Sequence, residues 1–433
     1  MSITETTILA PEENGNDKRQ AVLDAKVAAM KEMVAKYSQD ILSFGKPHTP
    51  RTSETSQTGQ IVVLTGSTGR LGCHLLAQLA EDPQVKHIYA LNREASGDVD
   101  ALFTRHTMAL GEWGLEPTLL RSSKITLLVC NYNQERLGLD EDTYERLAGS
   151  ATSIIHNAWR LHLKAPLSEF EPLIASLRNI VGLAVRSSRP GGAKIVFVSS
   201  VSVLANFTTM SEALERPITD PCIAAAIGYG ESKWVAEQLL LTAREVNGID
   251  TTIVRVGQLT GDSRIGAWST KEWLPGLVAI SLKVVGALPD REGDINWLPV
   301  DVAAKVLVEM MRSNEPVLHL VSPRPVACTH IITFFASRLK LPLMPYQGWI
   351  ERLHTAVKAQ AQVQADGSSK KRGAGVALTL FELFRDGHLG IDVVLSLERA
   401  LKASPSLARA KSLDEEDVER YIAYWQKTGL LSA

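Results

Sequence analysis

Between residues 61 and 321 the chain runs in short apolar bursts separated by longer stretches of helical spacing. The bursts cover residues 61–65, 87–92, 124–130, 153–156, 194–199, 251–256 and 317–321, and most are continuous runs of Val, Ile and Leu. A strand with one wet face alternates apolar and polar positions. A strand of a parallel sheet covered on both faces does not, and these bursts are of that second kind. Between them, stretches such as 72–81 and 167–187 carry apolar residues at helical intervals. Strand and helix in alternation predict an α/β fold built on a doubly wound parallel sheet.

The pattern changes at both ends. Residues 1–16 are polar, then Val22, Val27, Met30, Met33 and Val34 mark a helix, and "GKPHTPRTSETSQTGQ" reads as a linker. After about residue 325 the strand signal fades, and "HIITFFASRLKLPL", "YQGWIERLHTAVKAQAQVQ" and "DEEDVERYIAYWQKTG" look helical, with a loop "ADGSSKKRGAG" between the last two. The expected division is an N-terminal helix and linker (1–58), a dinucleotide-binding domain of Rossmann type (59–325), and a smaller, mainly helical substrate domain (326–433). A stretch near 262–292 is expected to be inserted toward the substrate side.

Composition narrows the class. The 433 residues are 45% hydrophobic, enough for an extensive core, and 46 Lys plus Arg against 48 Asp plus Glu leave a net charge of -2, which argues against nucleic acid as a partner. Cys73, Cys130, Cys222 and Cys328 are too scattered for a metal site or a disulfide framework, so reduced thiols, no metal and a cytoplasmic setting are expected. The N-terminus has no apolar signal segment, and the apolar stretch from Leu274 is broken by Lys283, short of the roughly 20 residues a bilayer span needs. No membrane association is expected.

Candidate chemistry begins at "LTGSTGRLG", where Gly66, Gly69 and Gly72 follow the first strand and open a helix. Such a turn lets the chain reverse tightly, lets a pyrophosphate approach bare backbone, and lets the helix pack closely on the strand, its first amides facing the phosphates. The spacing Gly-x-x-Gly-x-x-Gly departs from the usual Gly-x-Gly-x-x-Gly. At the end of the second strand, where NAD sites often carry an acid, stands Arg93, with Arg70 inside the glycine loop as a second cation. Guanidinium groups there suit a 2′-phosphate and favour NADPH, although Glu94 could face the ribose instead.

Tyr229 and Lys233, in "YGESKWVAE", share one helical face, and the preceding strand ends in Ser199-Ser200. A carbonyl receiving hydride needs a proton at its oxygen. A phenol of pKa about 10 can give one near neutrality if a neighbouring ammonium lowers it. Ser200 is preferred over Ser199 for binding the same oxygen, because it leads directly out of the sheet.

With these motifs assembled, the chain resembles the extended short-chain dehydrogenase/reductases, and more narrowly the thioester reductase domains of carboxylic acid reductases and fungal nonribosomal-peptide-synthetase-like proteins. The resemblance runs from about Ile61 to the C-terminus on "LTGSTGRLG", "IYALNR", "IIHNAW", "FVSSVSV", "YGESKWVAE", "VRVGQLTGDSRIGAW" and "LPVDVAA". It implies Ser200, Tyr229 and Lys233 as catalytic residues. It implies a cofactor site of Gly66, Thr68, Gly69, Arg70, Leu71, Gly72, Arg93, Asn157, Ala158, Ser199, Tyr229, Lys233, Gly257 and Leu259. Asn131 stands where the family usually has an acid against adenine, and Trp159 where it often has Ala; Trp159 and His162 are then expected to shape the substrate channel.

The implied reaction is NADPH-dependent reduction of an acyl thioester, carried on the phosphopantetheine arm of an acyl carrier protein, to an aldehyde. Trp268 and Trp273 are expected to line the acyl pocket or, equally, to pack between domains, and Lys370, Lys371 and Arg372 could attract an acidic carrier. The chain lacks an adenylation domain's bulk, which suits a free-standing reductase or one domain of a longer protein. Two other readings share the sheet: a reductase or epimerase of free small molecules, and a non-catalytic NADPH-sensing regulator.

Overall fold

The computed structural model describes residues 13–47, 59–93, 96–208, 211–365 and 393–431. Most of the predicted linker, Glu94 and the Lys370–Arg372 cluster lie outside them. Seven strands form one parallel sheet: β1 (Gln60–Thr65), β2 (Val85–Asn92), β3 (Ile125–Val129), β4 (Ser153–His156), β5 (Lys194–Ser200), β6 (Thr251–Val256) and β7 (Val317–Leu320). Their order is β3-β2-β1-β4-β5-β6-β7. The chain works outward from β1 to β3, then returns to lay β4 on the other side of β1. A crevice opens at such a reversal, beyond the strands' C-terminal ends. Thr65 pairs with His156 in register, so β1 and β4 deliver both residues to the same edge of that crevice.

The expected apolar bursts form the core for the reason given by their composition. Val62, Val63 and Leu64 are all fully buried. Val62 and Leu64 pack toward α2 (Arg70–Glu81) and α8 (Val300–Met310). Val63 packs toward α5 (Glu171–Val185) and α6 (Gly228–Thr242). Opposite faces of one strand thus belong to opposite layers. Each such side chain contributes roughly 1.5–3 kcal/mol by leaving water. The helix expected over 167–187 is shorter: a 3₁₀ turn, Leu167–Phe170, precedes α5, whose first turn carries Pro172. Proline lacks an N–H and fits only that first turn.

The N-terminal helix α1 (Glu13–Ser43) lies on the α5–α6 layer, burying Met30, Tyr37 and Ile41 in it, whereas Val22 is exposed. A third core gathers Trp268, Trp297, Phe335, Trp349, Tyr421 and Trp425. It joins α7 (Trp273–Ile280), α9 (Cys328–Leu339), α10 (Tyr346–Ala365) and α13 (Glu415–Lys427). The motif "GDSRIGAW" is the turn on which α13 docks: Gly266 sits at φ +70°, and a Cβ there would run into the Arg420 backbone. Among the described residues no helix is long and apolar enough to cross a membrane.

Candidate active site

The glycine loop leaves β1 at Thr65 and enters α2 at Arg70. Gly66 takes φ +71°, and a Cβ on it would lie 3.0 Å from the Ala158 backbone. A Cβ on Gly72 would collide with the Gly66 carbonyl, so the helix can approach the loop this closely only as glycine. Gly69 caps α2 without a side-chain hydrogen bond, and the helix's first amides, with no intrahelical acceptors, open toward the crevice. This is a concave backbone cradle with a helix N-terminus beneath it, which fits a dinucleotide's pyrophosphate.

Side chains from three strands hold the loop. Thr65 Oγ1 accepts from the amides of Asn157 and Ala158, and Asn157 Nδ2 donates to the Gly66 carbonyl at 3.2 Å. Beneath the loop Asn92 Nδ2 donates to Ser67 Oγ at 2.6 Å, and Ser67 Oγ lies 2.8 Å from His106 Nε2. His106 Nδ1, on α3 (Val99–Glu112), faces the Leu102 carbonyl and must be the protonated nitrogen, so Nε2 accepts from Ser67. Burial lowers the His106 pKa and keeps the ring neutral. Nothing in the local pattern marks this buried chain, because its three members are brought together by the sheet.

The two candidate cations differ. Arg93 stands exposed at the end of β2. Arg70 is turned to the protein: Nη1 donates to the Thr260 carbonyl at 2.5 Å, Nη2 to the Leu259 carbonyl, and Glu272 pairs with it at 2.9 Å. Asn131 begins a turn in which its Oδ1 accepts from the Asn133 amide. That turn runs through Arg136, Leu137 and Gly138, all with φ between 52° and 66°.

At the end of β5 the two serines diverge. Ser199 Oγ donates to Glu237 at 2.6 Å, and Glu237 is locked to Arg255 in a fully buried ion pair. Ser200 Oγ accepts from the Ser202 amide, and Ser200 lies near enough to the Tyr229 phenol to lower its pKa. Glu237 follows Lys233 by four residues on α6, and helical spacing could have flagged it.

Tyr229 stands in the first turn of α6, edge-on to Phe170 at 6.2 Å. Two glycines bring that turn close to neighbouring backbone: a Cβ on Gly228 would strike the Ala165 carbonyl, and one on Gly230 would lie 2.7 Å from the Ser202 carbonyl. Burial pushes the Tyr229 phenol up to about 12, with Ser200 opposing it. Lys233 makes no contribution to that shift, and the phenol stays protonated at neutral pH.

Lys233 is buried, with Nζ donating to the Val198 carbonyl at 2.6 Å. The ammonium lies 4.5 Å from the Trp159 ring centroid, 4.6 Å from that of Phe197 and 5.8 Å from that of Tyr229. Burial moves its pKa well below the ordinary lysine value, with Glu237 opposing. Trp159 thus covers Lys233, while His162 lies exposed in the following loop. His156, under Trp159, is pushed down to about 3 by burial and by Lys233.

Downstream of β6, Gly257 touches the β7 end so closely that a Cβ would lie 2.5 Å from Val321 Cγ1, and Leu259 pairs with Leu298. Trp273 Nε1 donates to Gln258, holding this segment. Trp268 is fully buried against Tyr421 and Trp425, so packing between layers is its role rather than lining a pocket.

A family profile for NAD-binding proteins, described as male sterility protein, matches residues 64–307, more than half of the chain. The chain belongs to that family. Its relatives include adenylate-forming reductases and non-reducing polyketide synthases. Adenylate-forming reductase Nps10 of Heterobasidion annosum is 37% identical over 415 residues, which cover 93% of this chain and 37% of that protein. The chain therefore spans little more than a third of that relative's length. Among solved structures, the terminal R domain from the myxalamid PKS-NRPS pathway superposes with a TM-score of 0.76 at 24% identity, over 92% of this chain and 99% of the other. A thiolation-reductase di-domain from an archaeal nonribosomal peptide synthetase superposes at 0.65 with 17% identity, over 92% of this chain and 81% of the other. These structural likenesses carry the fold alone, a Rossmann-type sheet as the motifs predicted, and NAD binding rests on the matched family.

Proposed function

We propose that the chain reduces a carrier-bound acyl thioester to an aldehyde with NADPH. The observation that carries the reading is the meeting of Tyr229 and Ser200 beside the glycine-lined crevice. NADPH, when bound, supplies the hydride. The backbone from Gly66 to Gly72 would hold its pyrophosphate and Arg93 its 2′-phosphate, with Asn131, Asn157, Ala158, Gly257 and Leu259 also holding it. Thr68, Leu71 and Lys233 complete that site.

The substrate carbonyl oxygen sits between the Tyr229 phenol and the Ser200 hydroxyl. As charge develops there, Tyr229 gives its proton and Ser200 donates a hydrogen bond. A phenol protonated at neutral pH is suited to that task. The resulting hemithioacetal breaks its C–S bond, the thiol leaves on the carrier arm, and the aldehyde departs. Ser199, committed to Glu237, acts by fixing the end of β5.

The third core, joining residues 268–297 to the helices after 326, is assigned to the substrate side. A relation to a carrier is supported by the archaeal structural neighbour, which is a thiolation-reductase di-domain. To test the reading, acyl-carrier, acyl-CoA and free-acid forms of one acyl group are offered while NADPH absorbance and product identity are followed. Aldehyde from the carrier thioester, lost in Tyr229→Phe, is expected. Turnover of a free ketone or sugar nucleotide with none of the thioester would favour the small-molecule reading, and full activity in Tyr229→Phe would remove the role given to the phenol.

A further inference from the structure

The first turn of α6 has a third restraint besides Gly228 and Gly230, and it comes from 200 residues away along the chain. Lys26, on α1, sends its ammonium to the Ala226 carbonyl at 2.7 Å and to Glu231 Oε1 at 3.0 Å. These two acceptors bracket Tyr229, one three residues before it and the other two residues after. Glu231 is 3% exposed, so its carboxylate has left water almost completely and relies on the ammonium for compensation.

The placement runs against local electrostatics. The N-terminus of a helix carries partial positive charge, so a cation there is disfavoured. The Ile227 cap makes no side-chain hydrogen bond either. A lysine from another helix is tolerated at this spot because a carbonyl and a buried carboxylate both receive it. The backbone of α1 is in turn fixed beneath by Met30 and Ile41 in the core, by Lys36 paired with Glu171 at 2.6 Å, and by Asn247 Nδ2 donating to the Ile41 carbonyl. The anchor that Lys26 supplies is therefore itself rigid.

The geometry points to Lys26 as a positioning residue for Tyr229: by tying Ala226 to Glu231 across the start of α6, it sets where the phenol stands relative to Ser200. The N-terminal helix is then part of the reductase machinery rather than only a covering element. This inference rests on Tyr229 being the proton donor.

The test compares Lys26→Met, Lys26→Arg, the double variant Lys26→Met/Glu231→Gln and Tyr229→Phe, reading kcat, KM for NADPH and melting temperature with an acyl thioester. Positioning predicts that Lys26→Met lowers kcat about tenfold with KM for NADPH nearly unchanged, a displacement-sensitive loss of the kind orientation effects give. Lys26→Arg recovers most of it. In the double variant the buried carboxylate is neutralised, so the melting temperature returns toward that of the unaltered protein while kcat stays low, because the tie to Ala226 is still missing. If kcat instead recovers together with the melting temperature, or if Lys26→Met turns over normally while Tyr229→Phe does not, Lys26 has no positioning role. Normal turnover in Tyr229→Phe would sink the phenol's assignment itself, a result separable from either.

Discussion

The ammonium of Lys233 lies beneath the indole of Trp159, 4.5 Å from its centroid, and the same indole donates through Nε1 to Ser232 Oγ at 3.2 Å. Ser232 Oγ donates in turn to the Tyr229 carbonyl. One side chain from beyond the end of β4 thus covers Lys233 and, through Ser232, is linked to the Tyr229 backbone.

Removing that cover should be felt in turnover. Trp159→Ala admits water to Lys233 and forfeits a desolvated cation–π contact of about 2 kcal/mol, so kcat is expected to fall by about tenfold or more. Trp159→Phe should retain much of the activity. Steady-state kinetics of the two variants checks this, and equal rates for Trp159→Ala and the unaltered protein would contradict it.

The two cations near the cofactor crevice should separate in binding. Arg93→Ala is expected to weaken NADPH about tenfold or more and NADH little, since a charged hydrogen-bonded contact is worth about 1.5–3 kcal/mol. Arg70→Ala should weaken both alike, because Arg70 secures the Leu259–Thr260 backbone and Glu272. Fluorescence titration with each nucleotide decides, and equal losses in Arg93→Ala would refute the 2′-phosphate assignment.

Glycines 69 and 72 look equivalent in the motif but not in space. A Cβ on Gly69 meets the Gly66 carbonyl oxygen at an ordinary 3.5 Å, whereas one on Gly72 overlaps it. Thermal unfolding should show Gly72→Ala destabilised by about 1–3 kcal/mol, the usual range for overpacking, and Gly69→Ala nearly unchanged.

The Glu237–Arg255 pair is fully buried, with Arg255 Nη2 2.7 Å from Oε2. Glu237→Gln leaves a buried guanidinium without its counter-charge, and a loss of about 3–5 kcal/mol is expected in denaturant unfolding. Because Ser199 also bonds this carboxylate, the end of β5 should loosen and turnover fall with it.

Acid should unfold the protein through its buried histidines. Burial pushes His319 down to about 4 and His156 to about 3, and each has Nε2 buried without a hydrogen bond. The unfolded chain binds their protons from about pH 6.5. Between there and pH 3–4 the unfolded state therefore holds more protons, so their contribution is complete above pH 6.5 and is lost as pH falls, by up to about 1.4 kcal/mol per pH unit per histidine. His319→Asn should flatten the decline in melting temperature between pH 6.5 and 4.5. An unchanged slope would contradict the assignment.

Much of this was legible in the chain. The seven bursts are the seven sheet strands, shifted by a residue or two at their ends, and the glycine spacing marked the β1–α2 turn. Position at the strand exit favours Ser200 over Ser199, and in the structure Ser199 is turned to Glu237. The Tyr229 environment was not legible: a nearby lysine suggested a lowered phenol, but the extent of burial is set by Phe170 and neighbouring backbone from other elements. Trp268 could be weighed both ways until its neighbours, Tyr421 and Trp425, were seen more than 150 residues along.

The sequence by itself determined the layered α/β architecture, the glycine turn and the pairing of Tyr229 with Lys233, because all three are written in periodicities and short spacings along one segment. Only the tertiary structure decided that Arg70 is bound to the protein while Arg93 is exposed, that Trp159 roofs Lys233, that His106 underpins the glycine loop, and that Lys26 reaches the start of α6. Those relations join residues on different elements, where the packing of the whole sheet and its helices, rather than any local repeat, fixes who meets whom.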